Sequence, residues 1–306
     1  MKTKVLVVAG PTASGKTGLG IALARRLDGE IVCADSMQIY TGMPIATAAP
    51  TAAERLAEIL PPDTPFSVAQ YCKLAAETVA DITARGKVPI LVGGTGLFID
   101  SFIDHIQFAH VQTNPDLRRE LLAKDGTELY RTLQQVDSTA AAEIHPNNKN
   151  RVVRALELYY AGVTKTAQNA ASRREDSPYE ALYFVLRYRD RQVLYDRINA
   201  RVDAMLAAGL VEEARQAYAA CGPTARQAIG HKELLPYLEG SEPLETAVER
   251  LKQETRRYAK RQITWFKRRQ GTVVLEPDTM DTERLIAAAT AQAEDFLYGK
   301  DKGKRA

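Results

Sequence analysis

Apolar and polar positions follow two different rhythms along this chain. Val5-Leu6-Val7-Val8-Ala9 is an unbroken apolar run with β-branched residues, the pattern of a strand buried on both faces of a parallel sheet. Glu30-Ile31-Val32-Cys33-Ala34, Val88-Pro89-Ile90-Leu91-Val92 and Leu182-Tyr183-Phe184-Val185-Leu186 repeat it. Between the first two runs, Leu19, Ala22, Leu23 and Leu27 recur at helical spacing, and Arg25 and Arg26 fall in the last turn, where cations suit the helix dipole. Strands separated by helices predict an α/β fold, a parallel sheet flanked by helices.

The rhythm changes at Asn114. From there to Pro178 helix formers dominate and strand signals vanish, with Arg151, Arg154, Glu157 and Leu158 on one predicted helix. The division expected is a core over 1–113, a helical insertion over 114–178, and the rest of the core with basic helices over 179–306. One long helix is expected from Gln192 to about Ala220, with Ile198, Val202, Met205, Leu206 and Leu210 toward the core.

Each of the first three strands ends in residues that carry chemistry. The first runs into Gly10, the second into Asp35-Ser36, the third into Gly93-Gly94-Thr95-Gly96. Open α/β sheets bind ligands at the carboxyl ends of their strands, so these three loops are expected to converge on one site. Gly10-Pro11-Thr12-Ala13-Ser14-Gly15-Lys16-Thr17 matches G-x-x-x-x-G-K-[ST] at every fixed position, between a strand and a helix as the mechanism requires. Inward-facing backbone N–H groups cradle phosphate oxygens in such a loop, Lys16 adds a point charge, Thr17 can ligate Mg²⁺, and the helix dipole favours the anion. The loop does not distinguish a nucleoside triphosphate from another pyrophosphate, so a kinase or ATPase stays open here.

Charge changes the picture only through its distribution. Lys and Arg (41) exceed Asp and Glu (38) by three, too little to announce a polyanionic partner. Between 250 and 269, however, lie Arg250, Lys252, Arg256, Arg257, Lys260, Arg261, Lys267, Arg268 and Arg269, opposed there by Glu254 alone and interleaved with Tyr258, Trp265 and Phe266. Such clustering is the electrostatic footprint of a nucleic-acid binder, although a solvated amphipathic helix has the same composition. A further basic run, Lys300, Lys302, Lys304 and Arg305, closes the chain. A diphosphate loop and a polyanion-facing helix on one chain suggest transfer of a group from a diphosphate to a nucleic acid.

Other classes fall away. Apolar content of 45% and charged content of 26% exclude a fibrous or disordered chain. No apolar run approaches the ~18 residues of a membrane span, and the amino-terminal stretch is too short for a signal peptide, so a cytoplasmic protein without a membrane partner is expected. Cys33, Cys72 and Cys221 are odd in number and far apart, the usage of buried thiols in a reducing compartment. His105, His110, His145 and His231 form no pair at metal-ligand spacing, which argues against structural zinc. No heptad or large apolar stripe is evident, and a monomer is expected.

Four motifs in order then point to a family. The phosphate loop, Asp35-Ser36-Met37-Gln38-Ile39-Tyr40, Val92-Gly93-Gly94-Thr95-Gly96 and Thr255-Arg256-Arg257-Tyr258-Ala259-Lys260-Arg261-Gln262-Ile263-Thr264-Trp265-Phe266 together resemble the tRNA dimethylallyltransferases. Ile144-His145-Pro146-Asn147 and the run from Arg197 to Leu206 agree, and the similarity extends from about Val5 to Arg269. The resemblance implies transfer of a dimethylallyl group from dimethylallyl diphosphate to N6 of the adenosine at tRNA position 37, immediately 3′ of the anticodon, without nucleoside triphosphate hydrolysis. It implies a P-loop NTPase-like parallel sheet flanked by helices as the core, an insertion that grips the anticodon stem-loop, and a target base taken out of its stack, since a stacked adenine cannot present N6 to an enclosed electrophile.

The same resemblance implies roles. Residues Gly10 to Thr17, with Arg201, hold the diphosphate, and Mg²⁺ sits on Thr17. Asp35 accepts the N6 proton, or alternatively holds magnesium through water. Thr95 positions the leaving oxygen or the base. Ser36, Met37 and Gln38 border the adenine. Asn147, Asn148, Lys149, Asn150 and Arg151 touch the RNA, Gln227, Ala228, Ile229, Gly230, His231 and Lys232 line the RNA side, and Arg256, Arg257, Lys260 and Arg261 reach phosphates. The chain departs from the family pattern at Thr41, Pro44, Ala46 and Ala49, in the Pro61-Pro62-Asp63 stretch, at Phe98 and Ser138, and at His231, where Tyr is usual. These departures bear on RNA affinity and on the choice of tRNA. A free-adenylate isopentenyltransferase, which needs neither insertion nor basic helix, and a non-catalytic RNA-binding module are the competing expectations.

Overall fold

The computed structural model describes residues 2–49, 54–108, 114–172 and 176–299, so His110 and the basic run at 300–305 lie outside the described residues. The elements, in chain order, are β1 (Thr3–Ala9), α1 (Lys16–Arg26), β2 (Gly29–Cys33), α2 (Pro44–Thr47), α3 (Val68–Ala84), β3 (Val88–Gly93) and α4 (Gly96–Ile103). After these come α5 (Pro115–Ala123), α6 (Gly126–Val136), α7 (Ser138–Glu143), α8 (Lys149–Tyr160) and α9 (Lys165–Ala171). The chain then continues with β4 (Tyr179–Leu186), α10 (Arg191–Ala207), α11 (Leu210–Ala220), α12 (His231–Leu238), α13 (Leu244–Phe266), β5 (Thr272–Leu275) and α14 (Thr282–Tyr298). Two compact units result: Met1–Ile103 with Pro178–Ala306, and Asp104–Ser177.

In the larger unit the strands form one parallel sheet in the order β2-β3-β1-β4-β5. Its unbroken apolar runs have a simple cause, because both faces are covered. Val5, Val7, Val32 and Leu91 pack against Tyr71, Val79, Ile82 and Phe102 of α3 and α4. Leu6, Val8, Ile90 and Phe184 pack on the other face against Leu19 and Leu23 of α1 and Leu285 and Ala289 of α14. β1 lies between β3 and β4, so the phosphate loop leaves the sheet where the strand order reverses.

The structure amends several details. The helix expected over 192–220 is two helices, broken at Ala208-Gly209; Ile198, Val202 and Leu210 are buried, whereas Met205 and Leu206 are only partly so. Cys33 and Cys221 are buried and Cys72 is partly exposed. The edge strand β5 and the helix α14 were not foreseen, a four-residue strand being too short for a clear apolar period.

The smaller unit is helical, with a core of Leu129, Leu133, Val152, Val153 and Leu156. Its helices start on side-chain caps, Asn114, Asp125, Asp137, Asn148 and Thr164. Its limits are Asp104 and Ser177, so it begins ahead of the change in rhythm at Asn114.

Candidate active site

Loops after β1 and β2, the end of β3 and residues of α10, α12 and α13 enclose a cavity of about 220 Å³ in the larger unit. Its phosphate end follows from the strand-loop-helix sequence. Gly15 takes a left-handed conformation (φ 93°) as the amino-terminal cap of α1, a turn that a β-carbon would strain. Lys16 Nζ donates to Pro11 O at 3.2 Å. Desolvation lowers its pKa to about 8, with the Asp35 charge pulling the other way. Arg201 lines the same cavity, and its guanidinium is also pulled below its ordinary value by burial.

Second contacts hold this loop, and none was evident in the sequence. Arg197 Nε donates to Ala13 O at 3.0 Å while the Tyr188 hydroxyl donates to Ser14 O at 3.4 Å. Gln262, buried in α13, accepts from Thr12 N–H at 2.8 Å and donates to Gly94 O at 3.0 Å, tying the phosphate loop to the turn after β3. That turn tolerates α13 only because it is glycine: a β-carbon on Gly94 would collide with Gln262, and one on Gly96 with Trp265. Among the described residues the buried Ser14 Oγ has no partner.

The carboxyl end of β2 supplies Asp35, whose Oδ1 accepts from Met37 N–H at 2.9 Å. Ser36 N–H donates to Thr95 Oγ1 at 3.1 Å, so the loops after β2 and β3 are joined. Tyr258 of α13 lines the cavity beside Thr95; burial, with the Asp35 charge, drives its phenol well above the ordinary range. Gln38 Nε2 donates to Thr47 O and Ala48 O, both at 3.0 Å, while its Oε1 accepts from Cys33 Sγ at 3.2 Å. Glu54, which the sequence did not single out, also lines the cavity. Its Oε1 is buried without a partner among the described residues, and burial raises its pKa to about 7, with Lys16 opposing and Asp35 adding to the rise.

The cavity thus brings together Thr12, Lys16, Thr17, Asp35, Ser36, Met37 and Gln38 with Arg201, Gln227, Ala228, Ile229, Lys232 and Arg261. Ala13, Ser14 and Gly15 border an adjoining hollow that also takes in Lys16, Thr17 and Arg201. Other expected residues are committed to the fold. Gly230 and His231 are buried, and His231 Nε2 meets Glu213 rather than solvent. Arg256 donates to Asn199 Oδ1 at 2.7 Å and Arg257 pairs with Glu254, while Lys260 is exposed.

Asn147 to Arg151 belong to the smaller unit. Asn148 caps α8, and Lys149 Nζ donates to Leu122 O (2.7 Å) and Lys124 O (2.6 Å); Asn147, Asn148, Asn150 and Arg151 are exposed. Of the nine cations of the basic stretch, Arg250, Lys252, Arg257 and Arg269 are paired with Glu242, Asp203, Glu254 and Asp100. Lys260, Lys267 and Arg268 are exposed.

Among the described residues no group of three or more His, Cys, Asp or Glu side chains is arranged to hold a metal ion. Thr17, however, is a hard oxygen donor lining the phosphate end, the donor chemistry magnesium takes when it keeps several waters and shares a site with phosphate oxygens. Among the described residues, too, no helix is long and apolar enough to cross a membrane.

Comparison with known proteins adds a family context. The family model described as IPP transferase matches residues 38–269, and that described as isopentenyl transferase matches residues 3–58. The chain is 48% identical over 278 residues to a tRNA dimethylallyltransferase of Exiguobacterium sp., covering 87% of this chain and 88% of the relative. It is 46% identical over 279 residues to one from Geobacillus kaustophilus, with 87% and 88% covered. The solved tRNA isopentenylpyrophosphate transferase of Staphylococcus epidermidis superposes with a TM-score of 0.70 at 38% identity, over 96% of this chain and 99% of that one. A eukaryotic dimethylallyltransferase captured acting on tRNA superposes with a TM-score of 0.78 at 28% identity, over 99% of this chain and 86% of that one.

Proposed function

The chain belongs to the IPP transferase family, and from that premise we propose that it moves a dimethylallyl group from dimethylallyl diphosphate to N6 of the adenosine at tRNA position 37, giving N6-(dimethylallyl)adenosine. One observation carries the proposal: a single cavity joins a phosphate loop, Lys16 and Arg201 to a carboxylate, Asp35, at the end of the neighbouring loop. Cations and a carboxylate are what transfer from a diphosphate to an amine needs. The N6 lone pair attacks the allylic carbon, the carbon–oxygen bond to diphosphate breaks with both electrons leaving on oxygen, and N6 sheds one proton.

Lys16, Arg201 and the loop amides stabilise the charge that accumulates on the departing diphosphate, the largest contribution such a site makes. Asp35 accepts the proton from N6, its carboxylate held by the Met37 amide. Thr95, bonded to Ser36, orients Asp35's loop and the incoming base. Thr17 together with diphosphate oxygens would hold Mg²⁺. When bound, the ion neutralises leaving-group charge. The RNA is held by exposed cations, Lys260, Lys267 and Arg268 in the larger unit and Arg151 in the smaller. The protein works as a cytoplasmic monomer, a reading that the completeness of the cavity within one chain supports.

The test is transfer of label from dimethylallyl diphosphate to an unmodified anticodon stem-loop. Asp35→Asn, which keeps the side-chain acceptor for the Met37 amide, should lose at least ~100-fold in rate. ATP turnover without transfer to RNA would return the phosphate loop to the kinases.

A further inference from the structure

Ala46, Thr47 and Ala48 line the cavity from one helical turn, α2, which at four residues is too short to maintain itself. Both of its ends are held from elsewhere. At the carboxyl end Gln38 binds the carbonyls of Thr47 and Ala48. At the amino end Glu213 of α11 accepts from Ile45 N–H through Oε2 (2.6 Å) and from Ala46 N–H through Oε1 (2.8 Å).

Glu213 is almost wholly buried, with 8% of its side chain exposed, and so is its second partner, His231, at 2%. His231 Nε2 lies 3.0 Å from Glu213 Oε1. A carboxylate only accepts, so Nε2 carries the hydrogen. Burial by itself would raise the Glu213 pKa, but the bonds from His231, Ala46 and Ile45 outweigh it and hold the carboxyl below its ordinary range. His231 Nδ1 is buried without a partner among the described residues, and the bond to Glu213 is what fixes the ring's polar edge.

The residues around this pair lead back to the cavity. Ala228 and Ile229, just before His231, line it, and a β-carbon on Gly230 would come within 3.3 Å of the Ala46 β-carbon. The phosphate end is held separately, by bonds of Arg197, Tyr188 and Gln262 to Ala13, Ser14, Thr12 and Gly94.

We infer that His231 is a positioning residue: through Glu213 it fixes residues 44–48 as the wall of the base end of the cavity, and so governs acceptance of the RNA but not of the diphosphate. This rests on the proposed prenyl transfer to an extruded base. It also gives position 231, where this chain departs from its family's usual Tyr, a structural task in place of an RNA contact.

Three variants of the full chain test it. In His231→Phe, which keeps the bulk and removes the donor, the Ile45 and Ala46 amides should exchange hydrogen about tenfold faster, as for loss of a bond to a charged group. KM for the anticodon stem-loop should rise about tenfold, and KM for dimethylallyl diphosphate should stay within about twofold. His231→Gln, whose amide nitrogen reaches the Nε2 position, should restore most of both. Glu213→Gln gives the same direction by a second route if the Phe variant folds poorly. Unchanged exchange at 45 and 46, equal rises in both KM values, or a Gln variant indistinguishable from Phe overturns the inference. A wild-type protein that transfers nothing to RNA defeats the proposed function, while the exchange rates still decide for or against the His231–Glu213 clamp.

Discussion

The segments 10–17 and 227–232 were both expected in a binding site, the first from its own motif and the second from the family resemblance, and the structure treats them differently. In the first, ligand-facing groups are set locally: a strand ends, a left-handed glycine turns the chain, and a helix begins. In the second, Gln227, Ile229 and Lys232 line the cavity, whereas Gly230 and His231 are turned into the protein, one against Ala46 and the other against Glu213. A motif that works through backbone amides carries its direction in its own sequence. A motif that works through side chains takes its direction from whatever packs against it, here α11 and the turn at 44–47.

The largest expected effect breaks the first segment. Lys16→Ala removes a charge aimed at the leaving diphosphate and should cost about 10²–10³ in kcat, the loss typical of one oxyanion-stabilising donor. Lys232→Ala, on the second segment, should leave kcat within a few-fold and act on the RNA KM. Steady-state kinetics on the stem-loop separate the two; equal losses in kcat would erase the contrast.

Gln262→Ala comes next, because it cuts the tie between the phosphate loop and the turn after β3. It leaves the Thr12 amide and the Gly94 carbonyl without their partner and should destabilise by about 1–3 kcal/mol, read from denaturant midpoints at unchanged m-value. The affinity of inorganic pyrophosphate should fall with it. A variant as stable as the wild type would mean that the phosphate loop stands alone.

Much of this was legible in the sequence, for reasons that can be named. Strands buried on both faces leave unbroken apolar runs, so β1 to β4 were readable, and the carboxyl ends of β1, β2 and β3 brought Lys16, Asp35 and Thr95 to one edge of the sheet. The rest depended on long-range packing. Gln262 sits 250 residues from Thr12, and Glu213 168 from Ile45, and no local pattern announces either bond. Glu54 stands in the sequence between Ala53 and Arg55 with no motif to mark it, and the bridge that pairs Arg55 with Val32 brings it beside the cavity. In the basic stretch, composition counted cations but not the carboxylates that Glu242, Asp203 and Asp100 bring to them.

A smaller effect uses protons to compare Lys16 with Glu54 inside the cavity. Burial holds Glu54 protonated up to about 7 in the folded chain against an ordinary 4.5, so the folded state binds the extra proton between those values and stability falls as pH rises through them. Lys16 releases its proton near 8 instead of 10.5, so the unfolded state binds the extra proton in that window and stability rises through it. Glu54→Gln should therefore raise Tm by a few degrees at pH 7.5 and lose that advantage by about pH 4.5. A constant difference in Tm across that range would contradict the burial of Glu54.

The smallest effect tests whether the same division runs through α13. Arg256 is bound to Asn199 and Arg257 to Glu254, whereas Lys260 is exposed. Lys260→Ala should weaken stem-loop binding about equally for any RNA sequence and lower the slope of log Kd against log salt by about one. Arg256→Ala should leave that slope unchanged and act on stability through the lost bond to Asn199. A slope that drops for Arg256 and not for Lys260 would mean that the bond to Asn199 yields to phosphate when RNA arrives, and that the inward side of this helix, unlike that of 227–232, is available to the substrate.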